Sequence, residues 1–130
     1  MAIIVAPAAC TEPTFHEPRA GWCRRGAFRF EAGGRRNWVA YCYYESCRAT
    51  GAPVAAYARF PEVAVTFGDT PPTAYASAPG VRRGFYGRCG SPVSFVGDCW
   101  PGEIHLHLGC VDDTSDLVAD REAYAAERLP

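Results

Sequence analysis

The chain has 130 residues, which suits one domain that buries an ordinary hydrophobic core without stabilising cross-links. Hydrophobic residues make up 48% of the sequence and charged residues 21%, and the net charge of -1 gives no electrostatic reason to expect binding to nucleic acid or to an anionic membrane surface. All 13 basic side chains are arginines, so Schiff-base catalysis by a lysine amine is excluded.

The N-terminal stretch, residues 1–15, is briefly apolar and then meets several prolines. Because it carries no arginine and its apolar run is too short for a signal peptide, we interpret it as an arm or an edge strand. No stretch approaches the roughly 20 apolar residues of a membrane span, so we expect a cytoplasmic protein. Seven cysteines is an odd number, and without a signal peptide this count favours free thiols or a metal site over a disulfide framework.

Glycine and proline recur along the whole chain, and the apolar runs between them are short and rich in valine and aromatic residues. This pattern is typical of a mainly β protein. Gly33 and Gly34 suit a hairpin turn between the first two predicted strands. The predicted strands in chain order are residues 27–31, 38–44, 54–60, 63–67, 74–77, 93–96 and 103–108.

Little helix is expected. Residues 49–52 suit a single helical turn, and Thr114 or Ser115 suits the N-cap of a short helix over residues 117–120. The acidic run just before that helix is interpreted as a turn, because carboxylates at a helix N-terminus complement the helix dipole.

The stretch from Tyr41 to Cys47 reads as a strand that runs into a tight loop with two thiols five positions apart. Such spacing is typical of a metal knuckle, in which one loop aims several thiolates at one ion. The position that would complete a Cys-x-Cys-x-x-Cys motif is Tyr44, and a neutral phenol is a poor zinc ligand. In a second interpretation Cys42 and Tyr44, two apart on a strand and so on one face, are simply part of the core.

Two histidines alternate with aliphatic residues near the end of the chain. His105 and His107 are separated by Leu106, which predicts both imidazoles on one face of a strand and the aliphatic side chains on the other. A His-x-His pair can begin a metal site, with His16 as one candidate third ligand. The alternative is a solvated or hydrogen-bonded strand face.

Four segments together resemble the glutathione-dependent formaldehyde-activating enzyme family, which includes centromere protein V-like proteins. They are residues 21–30, 42–53, 77–92 and 109–113, in order and with plausible spacing. The resemblance covers residues 16–130 and implies one small domain of several short antiparallel sheets, a β-tent-like fold. It also implies a carbon–sulfur lyase that acts on an S-hydroxymethyl thiol adduct with the help of zinc.

The family pattern supplies seven cysteine ligands for two zinc ions, and the resemblance maps three of these positions onto other residues. Arg25, Tyr44 and Tyr86 stand at the replaced positions, whereas the retained cysteines are Cys23, Cys42, Cys47 and Cys89. We therefore expect no metal cofactor. The alternative is residual zinc on the four retained cysteines.

One of the two zinc ions that the resemblance implies occupies a structural site in the family. Here Arg25 is expected to stack on the ring of Tyr86, so that a cation–π contact replaces the metal. A disulfide between Cys23 and Cys89 is the alternative, although a cytoplasmic location argues against it.

The second is the family's active site. Tyr44 is expected to act as a proton donor or oxyanion partner, with Cys42 or Cys47 as a nucleophile. Arg83 is a candidate partner for an anionic substrate group, with a role at the protein surface as the alternative, and Trp38 is a further candidate for substrate binding.

The sequence thus predicts a small-molecule enzyme that no longer uses zinc. Acid–base, cyclase, isomerase or lyase chemistry fits, including a role in a biosynthetic pathway. The alternatives are the family's lyase activity with residual zinc and a non-catalytic binding protein.

Overall fold

The computed structural model describes residues 19–22, 29–33, 38–50 and 52–130. These residues contain one short helix, α1 (Glu45–Arg48), and three single turns of 3-10 helix (Glu62–Ala64, Leu108–Cys110 and Ala125–Glu127). The strands are β1 (Arg19–Trp22), β2 (Arg29–Ala32), β3 (Val39–Cys42), β4 (Ala55–Pro61), β5 (Val65–Phe67), β6 (Thr73–Ala78), β7 (Val81–Phe85), β8 (Pro92–Gly97), β9 (Glu103–His107) and β10 (Arg121–Ala123).

The strands form two sheets. A three-stranded antiparallel sheet has the order β1-β2-β5, and a seven-stranded sheet has the order β10-β3-β4-β9-β8-β7-β6. All pairs are antiparallel except β10 with β3, which is parallel. The prediction of a mainly β fold with little helix is confirmed. Within the described residues no helix is long and apolar enough to cross a membrane.

The seven-stranded sheet buries both of its faces at its centre, because neighbouring residues of β3 (Val39 and Ala40) and of β9 (Ile104, His105 and Leu106) are all buried. One face, which we call the core face, packs against Phe30 and Ala32 of the three-stranded sheet with the side chains of Val39, Ala58, Phe60, Val93, Ile104 and Leu106. The opposite face, which we call the thiol face, holds a separate cluster made of Trp38, Ala40, Cys42, Cys47, Ala55, Tyr57 and Ala123. The two faces therefore have different chemistry.

Each of the seven predicted strands has a counterpart in the structure with shifted ends, and three further strands are not predicted. These are β1, β7 and β10. In β7 the pair Arg82 and Arg83 obscures the apolar pattern, and a hairpin turn with Gly80 at φ +72° connects this strand to β6. Only glycine adopts such a φ without strain, so the turn is set by sequence even though the strand is not obvious from it.

The predicted hairpin at Gly33 and Gly34 is wrong. The strands before and after it, β2 and β3, lie in different sheets, and β2 pairs instead with β1 and β5. Gly33 donates its N–H to the carbonyl oxygen of Ala64 at 2.8 Å, which ties it to the segment before β5. Gly34 lies outside the described residues. Long-range pairing has overridden the local turn signal.

Both helix predictions also need correction. The helical turn expected at residues 49–52 occurs earlier, as α1, directly after Tyr44. Residues 117–120 are irregular, since only one turn-type bond forms, from the Leu117 N–H to the Thr114 carbonyl at 2.9 Å. The segment instead docks on β3, where Asp120 and Val39 exchange hydrogen bonds of 3.0 and 3.1 Å. This docking leads into the parallel strand β10.

Candidate active site

Two thiols meet where β3 runs into α1. Cys42 is the last residue of β3 and Cys47 is the third residue of α1. The chain reverses between them, held by a hydrogen bond from Arg48 Nε to the Tyr43 carbonyl at 2.9 Å. Cys42 is 7% exposed and Cys47 is 5% exposed, and both belong to the buried cluster on the thiol face. Cys42 and Cys47, which lie close together in the sequence, therefore form one buried pair.

Arg83 reaches this pair from a distant strand of the same sheet. Its Nη1 and Nη2 atoms lie 3.7 and 3.6 Å from Cys47 Sγ, so that both arms of the guanidinium face the sulfur. Nη1 also donates to Tyr57 Oη at 3.4 Å, and Nε donates to Ser77 Oγ at 3.2 Å. The guanidinium lies 5.2 Å from the centre of the Phe95 ring. A rigid planar cation is therefore held in one orientation beside a thiol.

Strand register explains why Arg83 is there. Arg83 pairs with Phe95 on β8, Phe95 pairs with His105 on β9, and His105 pairs with Arg59 on β4. Residues that are directly opposite in neighbouring strands point to the same face. The arginine is consequently placed on the thiol face, although β8 and β9 separate its strand from β4.

The surroundings of the two thiols give them different pKa values. The pKa of Cys47 is lowered to about 6, first by the hydrogen bond from Cys42 and then, against the effect of burial, by the charge and hydrogen bonds of Arg83 and the hydroxyl of Tyr57. The pKa of Cys42 is raised, first by that same hydrogen bond and then by burial. The pair therefore loses one proton readily and keeps the second one.

Tyr57 stays protonated beside the thiolate. Burial raises the pKa of its phenol, and the negative charge of Cys47 raises it further. Its oxygen accepts a hydrogen bond from Arg83 Nη1, the same guanidinium that faces Cys47. The cluster thus contains one anion, one cation and one neutral donor in mutual contact.

The two histidines lie on the same face and are neutral at pH 7. The His107 ring lies 4.4 Å from that of Tyr57, and its pKa is lowered to about 4 by burial and by the charge of Arg83. His105 is 4% exposed between Trp38 and Phe95, and burial lowers its pKa although Glu103, 3.3 Å away, opposes this. Both imidazoles do share one strand face, which is buried and hydrogen-bonded. Among the described residues no third ligand joins them.

A cleft of about 340 Å³ opens beside the cluster. Arg83 and His107 line it on the sheet side, and Ser46, Ala49 and Thr50 line it on the side of α1. The further lining residues are Tyr75, Ser77, Gly84, Phe85, Gly90, Pro92 and Ser94. This lining offers hydroxyl groups, apolar surface and one guanidinium, and none of its described residues carries a carboxylate.

Comparison with known proteins shows the family to which this chain is similar. Residues 18–127 match the family described as glutathione-dependent formaldehyde-activating enzyme. The chain belongs to this family. This formaldehyde-activating-enzyme domain is also similar to the crystal structure of a Rhodobacter sphaeroides protein, with a TM-score of 0.59 and 19% identity over 72% of this chain and 87% of that chain. At that identity the likeness concerns the fold alone. A comparison with curated proteins finds no match.

Tyr44, which follows the first thiol in this formaldehyde-activating-enzyme domain, lies at the surface of the site. It is 38% exposed and stacks on Tyr124, with the ring centres 4.6 Å apart. Tyr124 adopts a left-handed backbone conformation with φ 55°, which is uncommon for a bulky residue. The aromatic pair borders the thiols, and neither ring lines the cleft. A role of Tyr44 in catalysis stays a prediction.

The other predicted site residues are spread over the domain. Trp38 is buried against His105 and Trp100 and does not line the cleft. Tyr86 is part of the core-face cluster, where Cys89 packs against it from the next turn. Cys23 and Arg25 lie outside the described residues, as does His16, so the stacking of Arg25 on Tyr86 and the Cys23–Cys89 disulfide stay predictions.

The residues at the family's active-site position do not fit a zinc ion. Zinc sites in proteins use three or four Cys, His or carboxylate ligands, and within the described ranges no three such side chains converge. Cys47 faces the guanidinium of Arg83, a cation that would repel a metal ion at the same sulfur. Tyr44 turns its ring towards Tyr124. Among the described residues, Cys47 is therefore paired with the guanidinium of Arg83.

One member of the cluster, Tyr57, is not singled out by the sequence patterns. Tyr57 could have been noticed only through the alternation Ala55, Tyr57, Arg59 in β4, which places it on the same face as Cys42. His107 was noticed for its spacing, but nothing local shows that it borders a cleft. Arg83 was considered as a substrate ligand, and the structure places it against Cys47 as well.

Proposed function

We propose that this protein is a zinc-independent enzyme that acts on a small organic molecule bound in the cleft beside Arg83, with the Cys47 thiolate as its reactive group. The observation that carries this proposal is the contact of both guanidinium arms with Cys47 Sγ at the edge of a cleft of about 340 Å³. A positive charge held against a thiol stabilises the thiolate, which is the nucleophilic and basic form of cysteine.

Each residue of the cluster has a distinct task in this proposal. Arg83 stabilises the sulfur anion and, because it lines the cleft, also meets an oxygen atom of the substrate. Tyr57 supplies an O–H that remains protonated, so that it can donate a hydrogen bond to developing negative charge. Tyr44 is proposed as a second proton donor or oxyanion partner at the surface of the site.

The cleft supports a substrate that is neutral or anionic and rich in oxygen. Hydroxyl groups from Ser46, Thr50 and Ser77 can donate and accept hydrogen bonds, and among the described lining residues only Arg83 is charged. Acid–base, cyclase, isomerase or lyase chemistry at a carbon next to a carbonyl group fits a thiolate paired with a neutral donor. We place the protein in the cytoplasm and in a biosynthetic pathway, without nucleic acid or membrane partners.

The test begins with elemental analysis of protein purified without chelator. We expect less than stoichiometric zinc, and one zinc per chain bound through Cys42 and Cys47 would overturn the zinc-free mechanism. A thermal-shift screen of small oxygen-containing acids and carbonyl compounds then identifies a ligand. Binding should be weakened by Arg83→Gln and retained by Arg82→Gln, because Arg82 lies on the opposite face of β7 and does not line the cleft.

Catalysis is tested on the ligand so identified. Cys47→Ser should abolish turnover, whereas Cys99→Ser should leave it unchanged, because Cys99 lies exposed in the turn after β8. Tyr44→Phe tests the tyrosine separately, and full activity in that variant would remove Tyr44 from the mechanism. A ligand that binds without any chemical change would favour a non-catalytic binding protein.

The second candidate is the carbon–sulfur lyase activity of the family, which the match over residues 18–127 favours. That activity acts on an S-hydroxymethyl thiol adduct, and zinc would supply polarisation of the adduct oxygen. It is tested by adding such an adduct to the purified protein with and without added zinc. Zinc-dependent turnover would support the lyase, and absence of turnover in both conditions would support the zinc-free proposal.

A further inference from the structure

We propose that the cleft binds a neutral hydroxyketone, whose carbonyl oxygen accepts a hydrogen bond from Arg83 Nη2 and whose hydroxyl donates to a ring nitrogen of His107. This inference rests on the proposed function and deepens it, because it names the substrate class of the same cleft. It also assigns a function to His107, which lines the cleft and which the proposed mechanism does not use.

The first support is the number of N–H groups that Arg83 has left for a ligand. A guanidinium carries five N–H donors. Nε donates to Ser77 Oγ, Nη1 donates to Cys47 Sγ and Tyr57 Oη, and Nη2 donates to Cys47 Sγ. Among the described residues this leaves one donor, on Nη2, without a partner. A single donor suits one carbonyl oxygen, whereas a carboxylate bound through both oxygens needs two.

The second support is the charge balance beside the cleft. Both arms of the guanidinium lie within 3.7 Å of Cys47 Sγ, and Arg83 is the only charged group among the described lining residues. At pH 7 the sulfur is negative, since the pKa of Cys47 is lowered to about 6, and it compensates the charge of the arginine. An anionic ligand would be repelled by the sulfur as it approached the guanidinium, so a neutral ligand is favoured.

The third support is the imidazole of His107. Among the described residues neither of its ring nitrogens has a hydrogen-bond partner, yet the buried side-chain atoms that lack one are only Arg59 Nε and Arg121 Nε. The nitrogens of His107 are therefore not sealed in the protein, and the residue lines the cleft. Burial and the charge of Arg83 lower its pKa to about 4, so at pH 7 the ring offers one acceptor and one N–H donor.

Tyr57 brings the guanidinium and the imidazole together. Tyr57 and His107 are directly opposite each other in β4 and β9, with ring centres 4.4 Å apart. The hydroxyl at the other end of the same tyrosine accepts from Arg83 Nη1 at 3.4 Å. Both groups thus contact one side chain and line one side of the cleft, where they meet two oxygen atoms of one small molecule.

The apolar part of the lining receives the carbon skeleton of the ligand. Tyr75, Phe85 and Pro92 contribute two aromatic rings and a proline ring to the cleft. Flat apolar groups pack favourably on such surfaces. A cleft of about 340 Å³ is large enough for an aromatic ring that carries a short hydroxyketone side chain.

The experiment measures binding to the full chain at pH 7 by isothermal titration calorimetry. The probe is 2-hydroxyacetophenone, which combines a phenyl ring, a ketone and a hydroxyl group. Acetophenone lacks the hydroxyl, and mandelate replaces the ketone by a carboxylate. We expect the probe to bind at least tenfold more tightly than either analogue. Tighter binding of mandelate would overturn the inference, as would a lack of binding of the probe at millimolar concentration.

Variants then assign the hydroxyl contact. His107→Phe keeps an aromatic ring against Tyr57 but removes both nitrogens, so affinity for 2-hydroxyacetophenone should fall about tenfold while affinity for acetophenone stays within about twofold. Arg82→Gln is the matched control and should leave both affinities unchanged, because Arg82 does not line the cleft. An equal loss for both ligands in His107→Phe would mean that the histidine only shapes the cleft, and would overturn the inference.

Circular dichroism verifies the fold of each variant. His107→Gln provides an amide that can accept and donate, and it should keep the preference for the hydroxyketone, so the test remains available if the phenylalanine variant does not fold. A loss of that preference in a folded glutamine variant would count against the hydrogen bond.

Failure of this inference is distinguishable from failure of the proposed function. Binding of 2-hydroxyacetophenone that depends on His107, without any chemical change, would leave this inference standing and remove only the proposed catalysis. Turnover of a carboxylate substrate that depends on Cys47 would support the proposed function and overturn this inference.

Discussion

The two faces of the seven-stranded sheet bury side chains to a similar extent but with different chemistry. On the core face, Leu106 and Val93 are completely buried among other apolar groups. On the thiol face, the neighbouring positions His105 and Tyr57 are almost as deeply buried, yet they carry polar groups: Tyr57 accepts a hydrogen bond from Arg83, and His105 lies 3.3 Å from Glu103. Buried polar and charged groups reduce stability unless each finds a partner. The core face is therefore expected to determine stability, and the thiol face to determine reactivity.

The largest expected effect tests the core face. Leu106→Ala removes a completely buried side chain between β4 and β8 and should lower the free energy of unfolding by about 2–5 kcal/mol. Urea denaturation measures this loss. Cys47→Ala, a smaller truncation on the thiol face, should cost about 1 kcal/mol or less. Equal losses in the two variants would contradict the division of roles between the faces.

A pH effect on stability tests the burial of His107. Its pKa is 6.5 for an ordinary histidine and about 4 in the folded protein, so the unfolded chain binds the proton more tightly. The contribution of the neutral His107 imidazole to stability is complete above pH 6.5. As the pH falls from 6.5 towards 4 this contribution is lost, and the free energy of unfolding decreases by about 1–3 kcal/mol. Denaturation at several pH values measures the loss, and His107→Phe should reduce it, with the remainder due to groups such as His105, whose pKa is also lowered. An imidazole that titrates by NMR near pH 6.5 would contradict it.

The third prediction tests the contact between Arg83 and Cys47. In a Cys99→Ser background the rate of Cys47 alkylation by iodoacetamide should rise with pH around a midpoint near 6. Arg83→Gln removes a charge that lowers the pKa of Cys47, so the midpoint should move upward, and a midpoint of about 8 would reduce the rate at pH 7 about tenfold. Arg82→Gln, whose side chain lies on the other face, should leave the profile unchanged. Identical profiles in both variants would remove Arg83 from the site.

The smallest expected effect concerns Tyr57. Tyr57→Phe removes the hydroxyl that hydrogen-bonds to Cys47, and this is a smaller cause of its lowered pKa than the Cys42 hydrogen bond or the Arg83 charge. Alkylation of Cys47 at pH 7 should slow by about threefold, and stability should change by about 1 kcal/mol. Mass spectrometry of the labelled peptide measures the rate. A decrease as large as that of Arg83→Gln would mean that the phenol also holds the arginine in place.

Part of the site could be predicted because it is local. Cys42 and Cys47 lie on one strand-to-helix connection, so their short separation in sequence brings them together in the fold. Arg83 is 36 positions away from Cys47, and its place depends on the register of four strands. A slip of one residue in β7 would turn it to the opposite face. Local patterns do not specify such pairings, and for the same reason the hairpin at Gly33 was wrong.

The sequence by itself determined the mainly β class, the family, the exclusion of lysine chemistry and the pair of nearby thiols, because these depend on composition and on residues close along the chain. Only the tertiary structure decided that Arg83 meets both Cys47 and Tyr57, that His105 is buried while His107 lines the cleft, and that Tyr44 stacks on Tyr124. The physical reason is that side-chain charge and reactivity are set by neighbours across the sheet, and those neighbours are chosen by strand order and register.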